Sequence, residues 1–184
     1  MEYFDIVDAQ GRPTGATVSR QQAHAEGIPH RTAHVWILRE KDGRVQALLQ
    51  KRSANKDSFP GQYDTSSAGH IQAGDAPLES AIRELGEELG IHAQPEALRF
   101  AGTFHNRYEE IFYGRPFRDD EISFVYVYDH PVDEKSLVLQ PEEVEAVEWF
   151  DFEDTLEACR RGSDFFCVPV GGMEVVKQYL ERKN

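Results

Sequence analysis

The stretch Gly69–Ile91 reads GHIQAGDAPLESAIRELGEELGI and contains the strongest helix signal in the chain. Apolar residues recur in it at spacings of three and four, at positions 78, 81, 82, 85 and 89, which predicts an apolar stripe along an α-helix. Asp75 suits the N-cap, Pro77 suits the first turn and Gly90 provides a C-terminal stop. We therefore predict a helix from about Ala76 to Leu89.

Three glutamates on this helix, Glu84, Glu87 and Glu88, are spaced so that they share one face. Carboxylates this close repel one another and raise each other's pKa, and a divalent cation such as Mg²⁺ reverses that cost. A solvated acidic helix face is an equally good reading of the spacing alone. The spacing by itself therefore leaves a metal site and a surface face open.

Strand and helix signals alternate along the rest of the chain. The turn Lys41-Asp42-Gly43 predicts a hairpin between strands 33–39 and 45–50. We also predict strands at 3–7, 64–71, 98–104, 121–128 and 144–150, helices at 19–26, 154–160 and 173–180, and binding-wall loops at 51–63 and 105–118. This pattern predicts one domain, residues 1–184, with an α/β or α+β sandwich fold.

Composition excludes several classes of function. The 184 residues carry 20 Lys and Arg against 33 Asp and Glu, a net charge of −13, which disfavours binding to polymeric nucleic acid or an anionic membrane. No apolar run approaches about 20 residues, and no signal peptide is visible. With only Cys159 and Cys167 there is no disulfide framework. We expect a soluble protein of the cytoplasm that tolerates divalent cations.

The whole stretch resembles the Nudix box. Asp75 stands where that family usually has Glu, which affects the hydrogen bonds of that position more than the metal site. Similar flanking segments at Phe59–Asp64 and Glu143–Phe150 extend the resemblance over most of the chain. The matching positions are Gly69, Arg83, Glu84, Leu85, Glu87, Glu88, Gly90 and Ile91.

This resemblance implies an α/β/α sandwich with a mixed sheet and hydrolysis of a small diphosphate, either a nucleoside diphosphate linked to another group or a related organic diphosphate. It implies Mg²⁺ or Mn²⁺ bound by Glu84, Glu87, Glu88 and the backbone carbonyl of Ala68. It also implies that Arg83 orients the glutamates through ion pairs, and it is compatible with a homodimer.

The catalytic base stays open between three carboxylates. Glu87 and Glu88 are candidates within the box, and Glu121 is a candidate outside it, at the start of a predicted strand. For Asp119 and Asp120, which precede Glu121, an acidic loop that keeps a strand edge soluble is at least as good an interpretation. Lys51 and Arg52 follow a strand, where cations can meet substrate phosphates, although solvated surface charge explains them too.

The flanking sequence is similar to the isopentenyl-diphosphate-isomerase-like branch. The segments that carry this resemblance are 5–15, His24, His30–Trp36 and 66–70. True isomerases use a cysteine just before the Gly-His pair, and Ala68 stands there, so a hydrolase on an isomerase-like scaffold is implied. By the same resemblance His24, His30 and His70 match metal-binding histidines, with Glu121 as a carboxylate partner, a set that suits Zn²⁺ or Mn²⁺. The simpler alternative is hydrogen-bonded histidines at strand ends.

Three functions therefore compete. The first is a metal-dependent diphosphohydrolase, favoured by the intact box. The second is isomerisation of an allylic diphosphate, favoured by the flanking histidines. The third is a module that binds a diphosphate without cleaving it.

Overall fold

A seven-stranded mixed β-sheet forms the centre of the structure, a computed structural model that describes residues 1–183. A separate two-stranded hairpin, β1 (Tyr3–Val7) and β2 (Pro13–Ser19), precedes it. The strands of the sheet are β3 (His30–Lys41), β4 (Arg44–Arg52), β5 (Tyr63–Asp64), β6 (Ser67–His70), β7 (Leu98–Phe112), β8 (Arg115–Tyr128) and β9 (Val144–Asp151).

The sheet order is β5-β4-β3-β8-β7, with β6 paired to β3 and β9 paired to β4. Strands β3 and β8 run parallel, and the other neighbours are antiparallel. The parallel register sets His30 opposite Glu121, and the antiparallel register sets Thr32 opposite His70. The start of β3 therefore brings chemically active side chains from two neighbouring strands together.

Helices cover both faces of the sheet. Helix α2 (Pro77–Leu89) buries Ala81, Leu85 and Leu89 against one face. Helices α3 (Phe152–Arg160) and α4 (Val170–Lys183) pack on the other. Within residues 1–183, no helix is long and apolar enough to cross a membrane. This arrangement confirms the predicted α/β/α sandwich with a mixed sheet.

Helix α1 (Arg20–Glu26) forms as its terminal residues predict. The Ser19 hydroxyl accepts a hydrogen bond from the Gln22 amide, and Gly27 ends the helix with φ +68°. The cap expected for α2 was wrong by one residue: Ala76 is its N-cap and makes no side-chain hydrogen bond. Asp75 lies in the preceding turn, where its amide donates to the Gln72 carbonyl.

The binding-wall loop expected at 105–118 is instead the far half of a long hairpin. Strands β7 and β8 pair without a break from Gly102 and Val125 out to Phe112 and Arg115. A two-residue turn, Tyr113-Gly114, closes this hairpin. Strand β2 was also absent from the sequence prediction, because its residues include Pro13 and Gly15, which are typical of turns.

Candidate active site

A cleft of about 400 Å³ lies where α2 and β6 meet the first residues of β3 and β8. Its lining includes all three box glutamates together with Glu121 and three histidines, His24, His34 and His70. The cleft therefore joins the two candidate metal-binding groups that the sequence suggested separately.

Three histidines and one glutamate converge at this cleft. The donor atoms of His24, His30, His70 and Glu121 all lie within 4.8 Å of one another. Each comes from a different element, namely α1, β3, β6 and β8. In the part of the chain that the structure describes, no other group of three or more His, Cys, Asp or Glu side chains lies this close together. We call this group the histidine cluster.

Backbone contacts turn two of these rings toward the cluster centre. Nδ1 of His24 lies 3.0 Å from the Arg20 carbonyl and Nδ1 of His30 lies 2.8 Å from the Ile28 carbonyl. Because a carbonyl only accepts, each Nδ1 is the donor and each Nε2 keeps its lone pair. The ring of Phe4 stacks between His30 and His70 at centroid distances of 4.9 and 4.6 Å. The imidazoles are therefore held in place before any ion binds.

Asp119 adds a fifth donor, at one of the two acidic residues before Glu121 for which the sequence left a solubilising loop at least as good an interpretation as a functional role. Its Oδ1 lies 3.5 Å from Nε2 of His24 and 3.8 Å from Nε2 of His30. Both Oδ1 of Asp119 and Nε2 of His30 are buried without a hydrogen-bond partner. Burial raises the pKa of Asp119 to about 8, and the charge of Glu121 adds to this effect. Buried polar atoms without partners are uncommon and need an explanation.

A bound metal ion would give these unpaired atoms a partner. Five donor pairs lie 3.3 to 3.8 Å apart, from His24 with His70 to His30 with Asp119. At metal–ligand distances of about 2.0 to 2.3 Å, neighbouring ligands lie about 3 to 3.7 Å apart. The spacing of these donors is therefore close to that of metal ligands, and imidazole with carboxylate suits Zn²⁺ or Mn²⁺ better than Mg²⁺.

The protonation states of the cluster agree with ligand chemistry. Burial lowers the pKa of His24 to about 4 and that of His70 well below its ordinary value. Burial also opposes protonation of His30, but the neighbouring Glu121 outweighs it and raises the pKa of His30. The pKa of Glu121 is lowered in turn: His30 overcomes the effect of burial. His24 and His70 are thus neutral near pH 7, the form that binds metals.

The box glutamates occupy three different environments on α2. Glu88 is buried and accepts hydrogen bonds from the Ala68 amide at 3.1 Å and from Gln50 at 3.2 Å. Glu84 packs directly over Gly69. The Glu87 side chain is 53% exposed. Burial raises the pKa of Glu84 to about 7 and that of Glu88 to about 8. A bound cation would stabilise the charged forms of both buried carboxylates.

Arg83 connects the box glutamates to the sheet. Its Nη1 lies 2.8 Å from Glu84 and 3.0 Å from Glu87, and its Nη2 donates to the His70 carbonyl at 3.2 Å. The box glutamates are therefore separated, two of them facing Arg83 and Glu88 facing β6. The expected orienting ion pairs of Arg83 are present, while a ligand role for the Ala68 carbonyl stays a prediction.

The two predicted substrate cations are placed differently. Arg52 lines the cleft, but its nitrogens are all engaged with Asp64 and with the backbone and hydroxyl of Ser58. Lys51 pairs with Glu145 at 2.7 Å and is not part of the cleft lining. The structure instead brings Arg20 and Lys56 to the cleft. A contact of Lys51 or Arg52 with substrate stays a prediction.

Acidic side chains outnumber basic ones in the cleft. Nine carboxyl side chains line it against four Arg and Lys side chains, and although burial favours the neutral form of Glu88 and Asp119, the remaining carboxylates still exceed the basic groups and oppose an anionic substrate unless cations are added. The carboxyl side chains are those of Glu2, Asp57, Asp64, Glu84, Glu87, Glu88, Asp119, Glu121 and Glu143, and the basic side chains are those of Arg20, Arg52, Lys56 and Arg83.

Comparison with known proteins identifies similar chains. Residues 28–165 match the family model described as the NUDIX domain. Nudix hydrolase 3 of Arabidopsis thaliana is 43% identical over 155 residues, which cover 83% of this chain and 20% of that protein. An uncharacterized Nudix hydrolase of Clostridium acetobutylicum is 37% identical over 143 residues, 78% of this chain and 66% of that protein. This chain thus spans less than two thirds of either relative.

Among solved structures, the fold is similar to that of DR0079 from Deinococcus radiodurans. The TM-score is 0.66 at 21% sequence identity, and the match covers 88% of this chain and 91% of that one. At this level of identity the likeness concerns the fold.

Proposed function

The chain belongs to the NUDIX domain family, and from this premise we propose that it is a metal-dependent diphosphohydrolase that acts on a small organic diphosphate by attack of water on phosphorus. The observation that carries the proposal is the shared cleft, in which the box glutamates of α2 and the histidine cluster face the same space. A nucleoside diphosphate linked to a second group is one such substrate.

A divalent cation, Mg²⁺ or Mn²⁺, would be held by Glu84, Glu87 and Glu88 with the Ala68 carbonyl. When bound, it neutralises phosphate charge and lowers the pKa of a water molecule. The raised pKa values of Glu84 and Glu88 support a cation at this place, because both carboxylates are buried at a cost without one.

The chain's own residues supply orientation and proton transfer. Arg83 bridges Glu84 and Glu87 and so fixes the direction of both carboxylates. The base that accepts the proton of the attacking water is Glu87, Glu88 or Glu121. Glu87 is the most exposed of these three. Lys56 lies at the cleft with its ammonium group paired to Glu143, and it would exchange this partner for a phosphate oxygen when substrate binds.

The histidine cluster supports a second cation in the same cleft. His24, His30, His70 and Glu121 would hold Zn²⁺ or Mn²⁺, with Asp119 as a further ligand. Two cations offset the excess of carboxylates in the lining, so the negative cleft becomes able to receive a diphosphate.

The cluster also favours a second candidate function, isomerisation of an allylic diphosphate. The position before Gly69 is Ala68, which carries no thiol, but Cys167 lines the same cleft. Its burial raises the pKa of the thiol well above the ordinary value, so the thiol stays protonated. Conversion of isopentenyl to dimethylallyl diphosphate at an appreciable rate would establish this candidate in place of hydrolysis.

The hydrolase proposal is tested by an activity screen over nucleotides, nucleotide sugars and isoprenoid diphosphates with Mg²⁺ and Mn²⁺. We expect release of phosphate or a monophosphate from at least one compound. Replacing Glu87 and Glu88 by Gln should lower kcat at least a hundredfold, whereas Glu79→Gln should not, since Glu79 lies exposed in the first turn of the same helix. Binding of a diphosphate with no product after long incubation would instead indicate a binding module.

A further inference from the structure

A second cavity opens beside the cleft. It measures about 640 Å³ and lies between α1 and the turn of the β7–β8 hairpin. Its hairpin wall consists of Phe112, Tyr113, Arg115, Pro116 and Phe117. We call this cavity the hairpin groove. Three aromatic rings and a proline on one wall give it a more apolar character than the cleft.

The hairpin groove is continuous with the cleft. Arg20, His24, Asp57 and Phe117 line both cavities. The ring of Phe117 stacks on the His24 imidazole at a centroid distance of 4.4 Å and an angle of 28°. A molecule whose phosphates lie in the cleft therefore has this aromatic wall directly beside it.

Backbone strain marks the same region. Within residues 1–183, three non-glycine residues have a positive φ, namely Asp42, Phe59 and Tyr113. Asp42 precedes Gly43 in a hairpin turn that accepts such residues readily. Tyr113 takes the same conformation before Gly114, although a bulky aromatic residue is disfavoured there. A strained residue that persists in a structure suggests a functional reason.

The two strained aromatic residues border the two joined cavities. Phe59 lines the cleft and contacts Phe112, with ring centroids 4.9 Å apart. Tyr113 lines the hairpin groove, and its hydroxyl donates to the Lys56 carbonyl at 3.1 Å. That hydrogen bond fixes the hairpin turn to the segment that carries Phe59. The aromatic residues thus form one wall from the cleft to the end of the hairpin groove.

We propose that the hairpin groove is a specificity subsite for the organic group of the diphosphate substrate. This inference rests on the proposed function and extends it. The ligand is a carbon-rich group with a flat unsaturated surface, because ring faces offer stacking and apolar contact. A nucleobase and an isoprenoid chain share this chemistry, and the two are distinguished by experiment.

The test uses dissociation constants measured by calorimetry in the presence of Mg²⁺. The probes are ADP-ribose, geranyl diphosphate and inorganic pyrophosphate, which has no organic group. We expect one organic probe to bind at least tenfold more tightly than pyrophosphate. Tyr113→Asn should remove about tenfold of that preference and leave pyrophosphate binding unchanged. The probe that is affected identifies the organic group.

Matched variants distinguish loss of the Tyr113 ring from an effect on folding. Asn before Gly114 suits this turn better than Tyr, so Tyr113→Asn should unfold at the same temperature as the wild type or higher. Tyr113→Phe keeps the ring and loses the bond to Lys56, so it should retain most of the preference for the organic probe that Tyr113→Asn loses. Ile111→Asn changes an exposed residue of the same hairpin that is not part of the groove lining, and should also bind normally. Phe112→Ala provides a second groove variant.

Two results would overturn the subsite. One is equal binding of all three probes by the wild type, and the other is equal weakening of pyrophosphate and the organic probe in the groove variants. Binding tests the subsite and turnover tests the hydrolase function, so either proposal can fail without the other. If the expected binding pattern is found but no diphosphate is cleaved, the proposed hydrolase function is wrong and the subsite stands.

Discussion

At Gly69 the absence of a side chain allows Glu84 to lie against β6. A Cβ built on Gly69 would come within 2.1 Å of the Glu84 Cδ, far closer than two carbon atoms approach. The position therefore requires glycine because a side chain would collide with Glu84. Backbone conformation is not the reason, since φ of Gly69 lies outside the positive range that favours glycine. The glycine and the glutamate of the box form one packing unit.

We predict that Gly69→Ala displaces the Glu84 carboxylate and lowers turnover at least tenfold with little loss of folding. The control is Gly86→Ala on α2, where the nearest neighbour is 3.6 Å from the new Cβ. Alanine inside a helix stabilises it by about 1 kcal/mol relative to glycine, so this control should unfold at a higher temperature. Steady-state kinetics and thermal unfolding measure both effects. Normal turnover in Gly69→Ala would contradict the packing argument.

Several site residues followed from the sequence because their signal is local. Glu84, Glu87 and Glu88 share a helical repeat, so their common face could be deduced from spacing. The histidine cluster depends on long-range register, since His30 and His70 meet Glu121 only through the pairing of β3 with β6 and β8. Asp119 was missed for that reason: its burial depends on the neighbours of β8 and not on its own segment.

At the scale of elements, features with a local sequence signal were predicted, and features that depend on long-range strand pairing were not. Helix α2 and the strand β1 were predicted within one residue because periodicity and end signals are local. The sequence predicts a loop over the outer half of the β7–β8 hairpin because polar residues such as Asn106 alternate with the aromatic ones on its half-buried side, so the apolar pattern is weak although the folded strand alternates between half-buried and exposed residues from Phe104 to Glu109. Its partner strand holds it in place, and pairing of this kind leaves little trace in a single sequence.

Helix α2 gives the cation-free protein a pH-dependent stability. The pKa values of Glu84 and Glu88 are raised in the fold to about 7 and about 8, so the folded chain retains protons that the unfolded chain has lost. Stability contributed by these groups is present at low pH and is lost as pH rises through the raised values. Burial lowers the pKa of His24 and that of His70, which makes the fold more stable as pH rises. This opposing effect ends above about pH 6.5, where these histidines are neutral in the unfolded chain as well.

We therefore predict that, in the presence of EDTA, the unfolding temperature falls between about pH 6.5 and pH 8. The part due to Glu88 is at most about 2 kcal/mol over this interval. Glu88→Gln should reduce the fall without abolishing it, because the pKa values of Glu84 and Asp119 are also raised, and excess Mg²⁺ should restore the stability of the wild type at pH 8. Thermal unfolding followed by circular dichroism measures the profile. A wild-type stability that rises over this interval would show that Glu88 carries its charge without cost.

At the scale of the whole molecule, the charge of the cleft and the topology of the fold both favour the proposed cation sites. A net charge of −13 and nine carboxyl side chains in one cleft oppose a diphosphate. Residues 1–27 lie outside the matched family region, yet they supply His24 to the cluster and Phe4, which packs between His30 and His70. The segment before the family region thus supplies one donor and a packing ring to the proposed second cation site.

We predict two separable classes of bound cation. Electron paramagnetic resonance of added Mn²⁺ should show about two ions per chain, one at the box glutamates and a tighter one at the histidine cluster, because the cluster already holds four donor atoms within 4.8 Å of one another. Glu121→Gln should remove the tighter class and Glu88→Gln the weaker one, leaving about one ion in each variant. Lowering the pH should release the weaker ion first, because protons compete for Glu84 and Glu88 near neutral pH, whereas burial lowers the pKa of His24 and that of His70. Loss of both classes in either variant would mean that the two groups form a single site, and loss of neither would remove the cluster as a cation site.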